Sequence, residues 1–191
     1  MSQQAFREGR SAREGRLKTF HINLNKEITG LGSGSARELC DLIEKRVAEY
    51  SPINLATAIR RLLMAGRAGV HRETVARALH KLEVSAMNQI ADFQSLQCSQ
   101  VLYIYAKKRQ RPENHQFLST IDARVEEVAW QCDDQAVSNI LWAYATTGRR
   151  PGERVLGALE ERVEEVTRYC STQSVSNILW AFATMRRRGT G

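Results

Sequence analysis

Proline is scarce in this chain. There are three in 191 residues, at Pro52, Pro112 and Pro151, and long stretches also run without glycine. So little punctuation argues against a turn-rich β fold and favours helices. Long apolar runs are missing too, and none approaches the roughly 18 residues a membrane helix needs, so no membrane insertion is expected. The cysteines Cys40, Cys98, Cys132 and Cys170 show no C-x-x-C pair, and no secretory signal precedes them. They are expected to be reduced, half-buried small hydrophobes of an intracellular protein.

Catalytic signatures are equally sparse. His21, His71, His80 and His115 share no repeat position, and there is no G-x-S-x-G, phosphate-binding P-loop or H-E-x-x-H. Glu126-Glu127 and Glu164-Glu165 are paired in sequence only. Neighbours on a helix diverge by about 100°, so these carboxylates form a solvated face. No catalytic residue, metal site or cofactor is expected, and the chain reads as a binding scaffold.

What is present is a basic surplus, 28 Lys+Arg against 21 Asp+Glu for a net +7, with an ordinary apolar fraction of 42%. Such a surplus permits a polyanionic partner. Residues 1–27 carry Arg7, Arg10, Arg13, Arg16 and Lys18 among Ser, Gln and Gly. They are expected to be a flexible leader, or the end of an organelle transit peptide.

The decisive feature is self-similarity. Ser138-Asn139-Ile140-Leu141-Trp142-Ala143 returns at offset 38 as Ser176-Asn177-Ile178-Leu179-Trp180-Ala181. Arg124-Val125-Glu126-Glu127-Val128 returns at Arg162 to Val166, and Cys132 at Cys170, with the same offset. Weaker copies lie upstream: Ser99 to Ala106 matches Ser138 to Ala145 at offset 39, and Thr57 to Leu63 matches Gln100 to Ala106 at offset 43. The four-residue excess points to a longer loop around Val84 to Asn88. The units fall at 28–66, 67–109, 110–148 and 149–186, with a basic tail at 187–191.

Each unit reads as two helices. In the last, Leu156, Leu159, Val163, Val166 and Cys170 make one apolar stripe, with Pro151 in the first turn. Ser171-Thr172 then offers an N-cap, and Val175, Ile178, Leu179 and Phe182 make a second stripe. The third unit repeats this with Pro112, with Leu118, Ile121, Val125 and Val128, and then with an Asp133-Asp134 cap before Val137, Ile140, Leu141 and Tyr144. One pair cannot bury both stripes and stacked pairs can. The fold class predicted is all-α, a right-handed α-solenoid of about four helix-turn-helix repeats of about 38 residues. The last pair carries no polar capping helix, so further repeats or a partner are expected there.

A 38-residue helix pair with Asn139-Ile140-Leu141-Trp142-Ala143-Tyr144-Ala145-Thr146 in its second helix resembles the octotricopeptide repeat family. The resemblance spans residues 28–186 and is strongest from 115 onward. Thr57-Ala58 and Arg60-Arg61-Leu62 are similar to the divergent leading repeat of such proteins. The resemblance implies an α-solenoid of the chloroplast or mitochondrion that binds organellar transcripts and supports their stability, processing or translation. This chain departs from the pattern in having single prolines at Pro112 and Pro151, and Tyr103 in place of a second-unit tryptophan. No nuclease-like C-terminal domain is present, so cleavage by this chain is not expected.

Stacking should align equivalent side chains of the second helices. The candidates for reading RNA bases are Thr57 and Arg60, Gln100 and Tyr103, Asn139 and Trp142, and Asn177 and Trp180. An amide beside an aromatic or guanidinium group can hydrogen-bond one base and stack on it. The two tryptophans are identical, which suits packing anchors better than readers. Position 57/100/139/177 varies, as a reader should. Cations cluster where the second helices end: Arg60, Arg61 and Arg67; Lys107, Lys108, Arg109 and Arg111; Arg149, Arg150 and Arg154; Arg186, Arg187 and Arg188. The acids Glu126, Glu127, Glu160, Glu161, Glu164 and Glu165 lie on first helices. Helix-dipole complementarity accounts for one or two cations per terminus, at ~0.3–1 kcal/mol each. The surplus marks Arg61, Lys107, Lys108, Arg109, Arg111, Arg149, Arg150, Arg186, Arg187 and Arg188 as phosphate candidates along one edge. Single-stranded RNA is therefore the expected partner. The alternative is a protein-interaction scaffold or an accessory subunit of a larger organellar assembly.

Overall fold

The computed structural model describes residues 3–31, 35–66 and 69–189, with side chains described from residue 14 to residue 187 within them. Described residues form α1 (Gln3–Gly30), α2 (Ala36–Arg46), α3 (Pro52–Ala65), α4 (Arg72–Asn88), α5 (Ser95–Lys108), α6 (Phe117–Val128), α7 (Asp134–Thr147), α8 (Glu153–Val166) and α9 (Thr172–Gly189), and no strand. None of these helices is long and apolar enough to cross a membrane. The chain is all-helical.

The helices pack in two rows. In the first row α2 lies on α4, α4 on α6 and α6 on α8. In the second α1 lies on α3, α3 on α5, α5 on α7 and α7 on α9. The rows meet through α2–α3, α3–α4, α5–α6 and α7–α8. One continuous core joins them, from Leu24 and Ile28 through Ile59, Leu102 and Leu141 to Ala181. The expected apolar stripes supply most of it, except that Leu179 of the last stripe is 65% exposed and lies outside the core. Ile121, Val125 and Val128 are buried on α6, and Val137, Ile140, Leu141 and Tyr144 on α7.

Local chemistry sets the helix starts. Ser51 caps α3 in a reciprocal capping box with Asn54. The Asp133 carboxylate accepts from the Ala136 amide at 2.7 Å, and the Ser171 hydroxyl from the Ser174 amide at 3.1 Å. Each first-row helix runs into a 3-10 turn before an extended residue and the next helix start: Val47–Glu49, Ile90–Asp92, Ala129–Gln131 and Thr167–Tyr169. Gly148 closes α7 in the left-handed region, at φ 70°. Its counterpart in the preceding unit, Arg109, adopts φ 48° without the freedom of glycine.

Several expectations are corrected. The segment 1–27 is not a flexible leader over its described part. α1 begins at Gln3 and runs unbroken past the predicted boundary at residue 28, with Leu24 and Ile28 buried. Asn54 donates to the His21 carbonyl at 3.0 Å and to Asn25 Oδ1 at 3.4 Å, and Arg61 donates to the Leu31 carbonyl. α1 therefore lies parallel to α3 and extends its row. Val84 to Asn88 is not a loop. These residues finish α4, whose 17 residues exceed the 12 of α6, and Ala86 there is buried. Pro112 and Pro151 stand in the connections ahead of α6 and α8, not in their first turns. The basic tail is not separate, because α9 continues to Gly189. Residues 190–191 and Arg67, and the side chains of Arg7, Arg10, Arg13 and Arg188, lie outside the described residues.

Candidate nucleic-acid interface

The second-row helices run parallel and in register, which puts equivalent residues side by side. Asp134, at the start of α7, accepts from the Ser171 amide at 3.1 Å and the Ser174 hydroxyl at 2.8 Å at the start of α9. These contacts, the Ser171 amide first, hold the Asp134 carboxyl below the ordinary aspartate range. Farther along, Tyr103 of α5 and Trp142 of α7 meet with ring centroids 5.2 Å apart. They occupy equivalent positions of successive units.

Between these contacts lies a polar groove of about 430 Å³. Its walls are Tyr103 from α5, Asp134, Gln135, Ser138 and Asn139 from α7, and Ser171, Gln173, Ser174 and Asn177 from α9. The predicted row Asn139 and Asn177 is thus brought to one cavity together with Tyr103. Gln135 and Gln173 were missed as candidates. Each stands one helical turn before its asparagine, and the two are equivalent in the repeat, so the same periodicity carried their signal. Four carboxamides in one groove offer donors and acceptors in pairs, the chemistry that reads a base edge.

The other base candidates are placed elsewhere. Arg60 lines a separate cavity of about 210 Å³ with Arg61, Leu31, Leu39 and Met64. Thr57 and Gln100 are half-buried, and neither lines the groove. Trp142 is half-buried against Tyr103, as a packing anchor would be, whereas Trp180 is 47% exposed.

The cations divide into two groups. Arg149 pairs with Asp122 and lies 5.7 Å from the centroid of the Tyr144 ring. Arg154 pairs with Glu126 at 2.6 Å, and Arg61 is bound to the Leu31 carbonyl. Lys107 reaches the Tyr103 hydroxyl at 3.3 Å and sits 5.3 Å from the centroid of its ring. These four serve the fold as well as any ligand. Lys108, Arg109, Arg111, Arg150, Arg186 and Arg187 are exposed. Because α5, α7 and α9 are parallel, the cations at and just beyond their last turns share one end of the row.

All four cysteines are free, with Cys40, Cys98 and Cys132 buried and Cys170 half-buried. Burial pushes the Cys98 thiol up to about 12 and the Cys132 thiol up to about 11. Among the described residues, no group of three His, Cys, Asp or Glu side chains is placed to hold a metal ion. No family model matches this chain, and neither a curated protein nor a solved structure matches it.

Proposed function

We propose that the chain is a right-handed α-solenoid of four stacked helix pairs, preceded by α1, that binds single-stranded RNA without catalysis. The observation that carries the reading is the groove in which Asn139, Asn177, Gln135 and Gln173 stand beside Tyr103. Paired amides recognise base edges, and an aromatic neighbour supplies a stacking face. Exposed Lys108, Arg109, Arg111, Arg150 and Arg186 at the far end of the same helices supply charge for the phosphates.

The internal repeat supports the stacked architecture, as do two helix rows whose members run in register. The resemblance of Asn139 to Thr146 to the octotricopeptide repeat supports a role with organellar transcripts, in the chloroplast or the mitochondrion, in their stability, processing or translation. At one nucleotide per repeat the array reads about four nucleotides, so full transcript selectivity needs other contributors.

The test is binding of a random single-stranded RNA pool, followed by fluorescence anisotropy across a salt series. Affinity should fall steeply with salt. The double variant Asn139→Ala, Asn177→Ala should weaken binding with the salt slope kept, since it removes base contacts and no charge. Absence of RNA retention at low salt contradicts the proposal, and so does an unchanged affinity in the double variant.

A further inference from the structure

Three second-row helices end on a residue with positive φ: α3 at Gly66 (φ 68°), α5 at Arg109 (φ 48°) and α7 at Gly148 (φ 70°). The three positions are equivalent in the repeat. Glycine is the usual residue there, because a Cβ is crowded in the left-handed region. Among the described residues, Arg109 is the one non-glycine that bears this strain. Nothing inside the fold offsets it. Arg109 is exposed, and among the described residues its guanidinium has no hydrogen-bond or ion-pair partner. Helix-dipole complementarity does not require it either, since Lys107 and Lys108 already occupy the last turn of α5.

The backbone on both sides of Arg109 is held. The Arg109 amide donates to the Ala106 carbonyl and the Gln110 amide to the Tyr105 carbonyl, each at 3.1 Å. Farther along the α5–α6 connection, the buried Glu83 carboxylate accepts from the Glu113 amide at 3.1 Å and the Asn114 amide at 2.6 Å. In the α7–α8 connection the equivalent acid, Asp122, instead captures the Arg149 side chain. Glu83 is already occupied by backbone amides and by the Tyr105 hydroxyl, so it captures no cation. Lys108 lines a cleft of about 200 Å³ with Arg72 and Glu113, whereas Arg109 and Arg111 stand outside it. Arg109 and Arg111 are thus exposed cations on a fixed backbone.

We propose that Arg109 is the anchor for a phosphate of bound RNA, with Arg111 as its second cation, and that its left-handed conformation is kept because charge at this position serves binding. An observed backbone outlier of this kind is a pointer to function. The inference rests on the RNA reading above and goes beyond it, because it singles out one cation among the exposed ones. α5 carries Tyr103 at the groove, Lys107 against the Tyr103 ring and Arg109 at its end. A strand whose base stands at Tyr103 therefore runs along one helix toward this connection. The guanidinium offers a phosphate a planar fork of donors, and a backbone fixed in advance lowers the ordering cost of the contact.

Arg109→Gly in the full chain tests both halves of the proposal, because it relieves the backbone and removes the charge. Its affinity for the random single-stranded RNA pool should fall at least about fivefold. The log–log salt slope should shrink by about one phosphate. The thermal midpoint of the same variant should rise, by about 2 °C. Arg109→Lys keeps the charge and the strain but loses the fork, so it should retain the slope and lose part of the affinity. A thermal midpoint that stays or falls in Arg109→Gly overturns the proposal by removing the strain. RNA binding by Arg109→Gly with the affinity and slope of the wild type overturns this inference alone and leaves the RNA reading standing. A wild-type chain that retains no RNA at low salt overturns the RNA reading, and this inference with it.

Discussion

The Tyr105 hydroxyl donates to the Glu83 carboxylate at 2.6 Å, and in the next unit the Tyr144 hydroxyl donates to Asp122 at 2.7 Å. Each bond ties the second helix of a unit back to its first, α5 to α4 and α7 to α6. In the last unit the tyrosine is replaced by Phe182, and the equivalent acid, Glu160, is exposed. Glu83 is fully buried and also accepts from the Glu113 and Asn114 amides. Burial pushes its carboxyl above the ordinary glutamate range, and the Tyr105 hydroxyl and the two amides pull it back only in part.

Tyr105→Phe should therefore cost about 1–3 kcal/mol, because a buried carboxylate loses a donor. The raised Glu83 value also has a pH consequence. Folded Glu83 binds a proton more readily than unfolded Glu83, so its ionisation at neutral pH weakens the fold, and stability returns as pH falls through its folded value. As pH falls from neutral toward the ordinary glutamate range, the wild type should gain on a Glu83→Gln variant in paired urea titrations. A difference that stays constant, or shrinks, contradicts this.

Arg149 and Arg150 are neighbours with opposite duties. Arg149 is held between Asp122 and the Tyr144 ring, while Arg150 is exposed. Arg149→Ala should lower stability by about 1–2 kcal/mol by depriving a largely buried carboxylate of its partner. Arg150→Ala should leave the thermal midpoint unchanged and reduce the salt slope of RNA binding by about one phosphate. Equal melting behaviour of the two variants would remove the distinction.

Thiol accessibility ranks the cysteines. Cys170 is half-buried, and the other three are fully buried in the native fold. Under native conditions a maleimide should label Cys170 first, with the rest labelled only on unfolding. Peptide mapping after a short pulse checks this. Early labelling of Cys98 would place the α5 core wrongly.

Leu24 tests whether α1 belongs to the stack. It is 2% exposed against the α3 side of the core. Leu24→Ala should cost about 2–4 kcal/mol, as for other buried leucines, measured by denaturant unfolding. A loss under about 0.5 kcal/mol, the range of surface changes, would mean that α1 is not packed as described.

The last two units were legible because their repetition is near-exact, down to the Asp133 and Ser171 caps. Apolar spacing marked the buried faces of α6 to α8, but it counted the exposed Leu179 into the α9 stripe, and the prolines misplaced the starts of α6 and α8. α1 was hidden by composition. Among its described side chains the buried stripe is thin, essentially Leu24 and Ile28, and sits among Asn23, Asn25, Lys26, Glu27 and Thr29, so only the contact with α3 reveals it. The four-residue excess upstream was real, but an added turn of α4 absorbs it, and periodicity cannot tell that from a loop. Of the site, the Asn139–Asn177 row followed from register. The capture of Arg149 by Asp122, 27 residues away in the chain, did not, because which cation finds a carboxylate is decided by the turn into α8.

The central claim is that RNA bases enter the groove between α5, α7 and α9. The most direct measurement is photo-crosslinking of 4-thiouridine-substituted single-stranded RNA to the full chain, with adducts mapped by mass spectrometry. Adducts should fall on Tyr103 and on residues 135–142 and 173–180. Adducts confined to α2, α4, α6 and α8 would contradict the account.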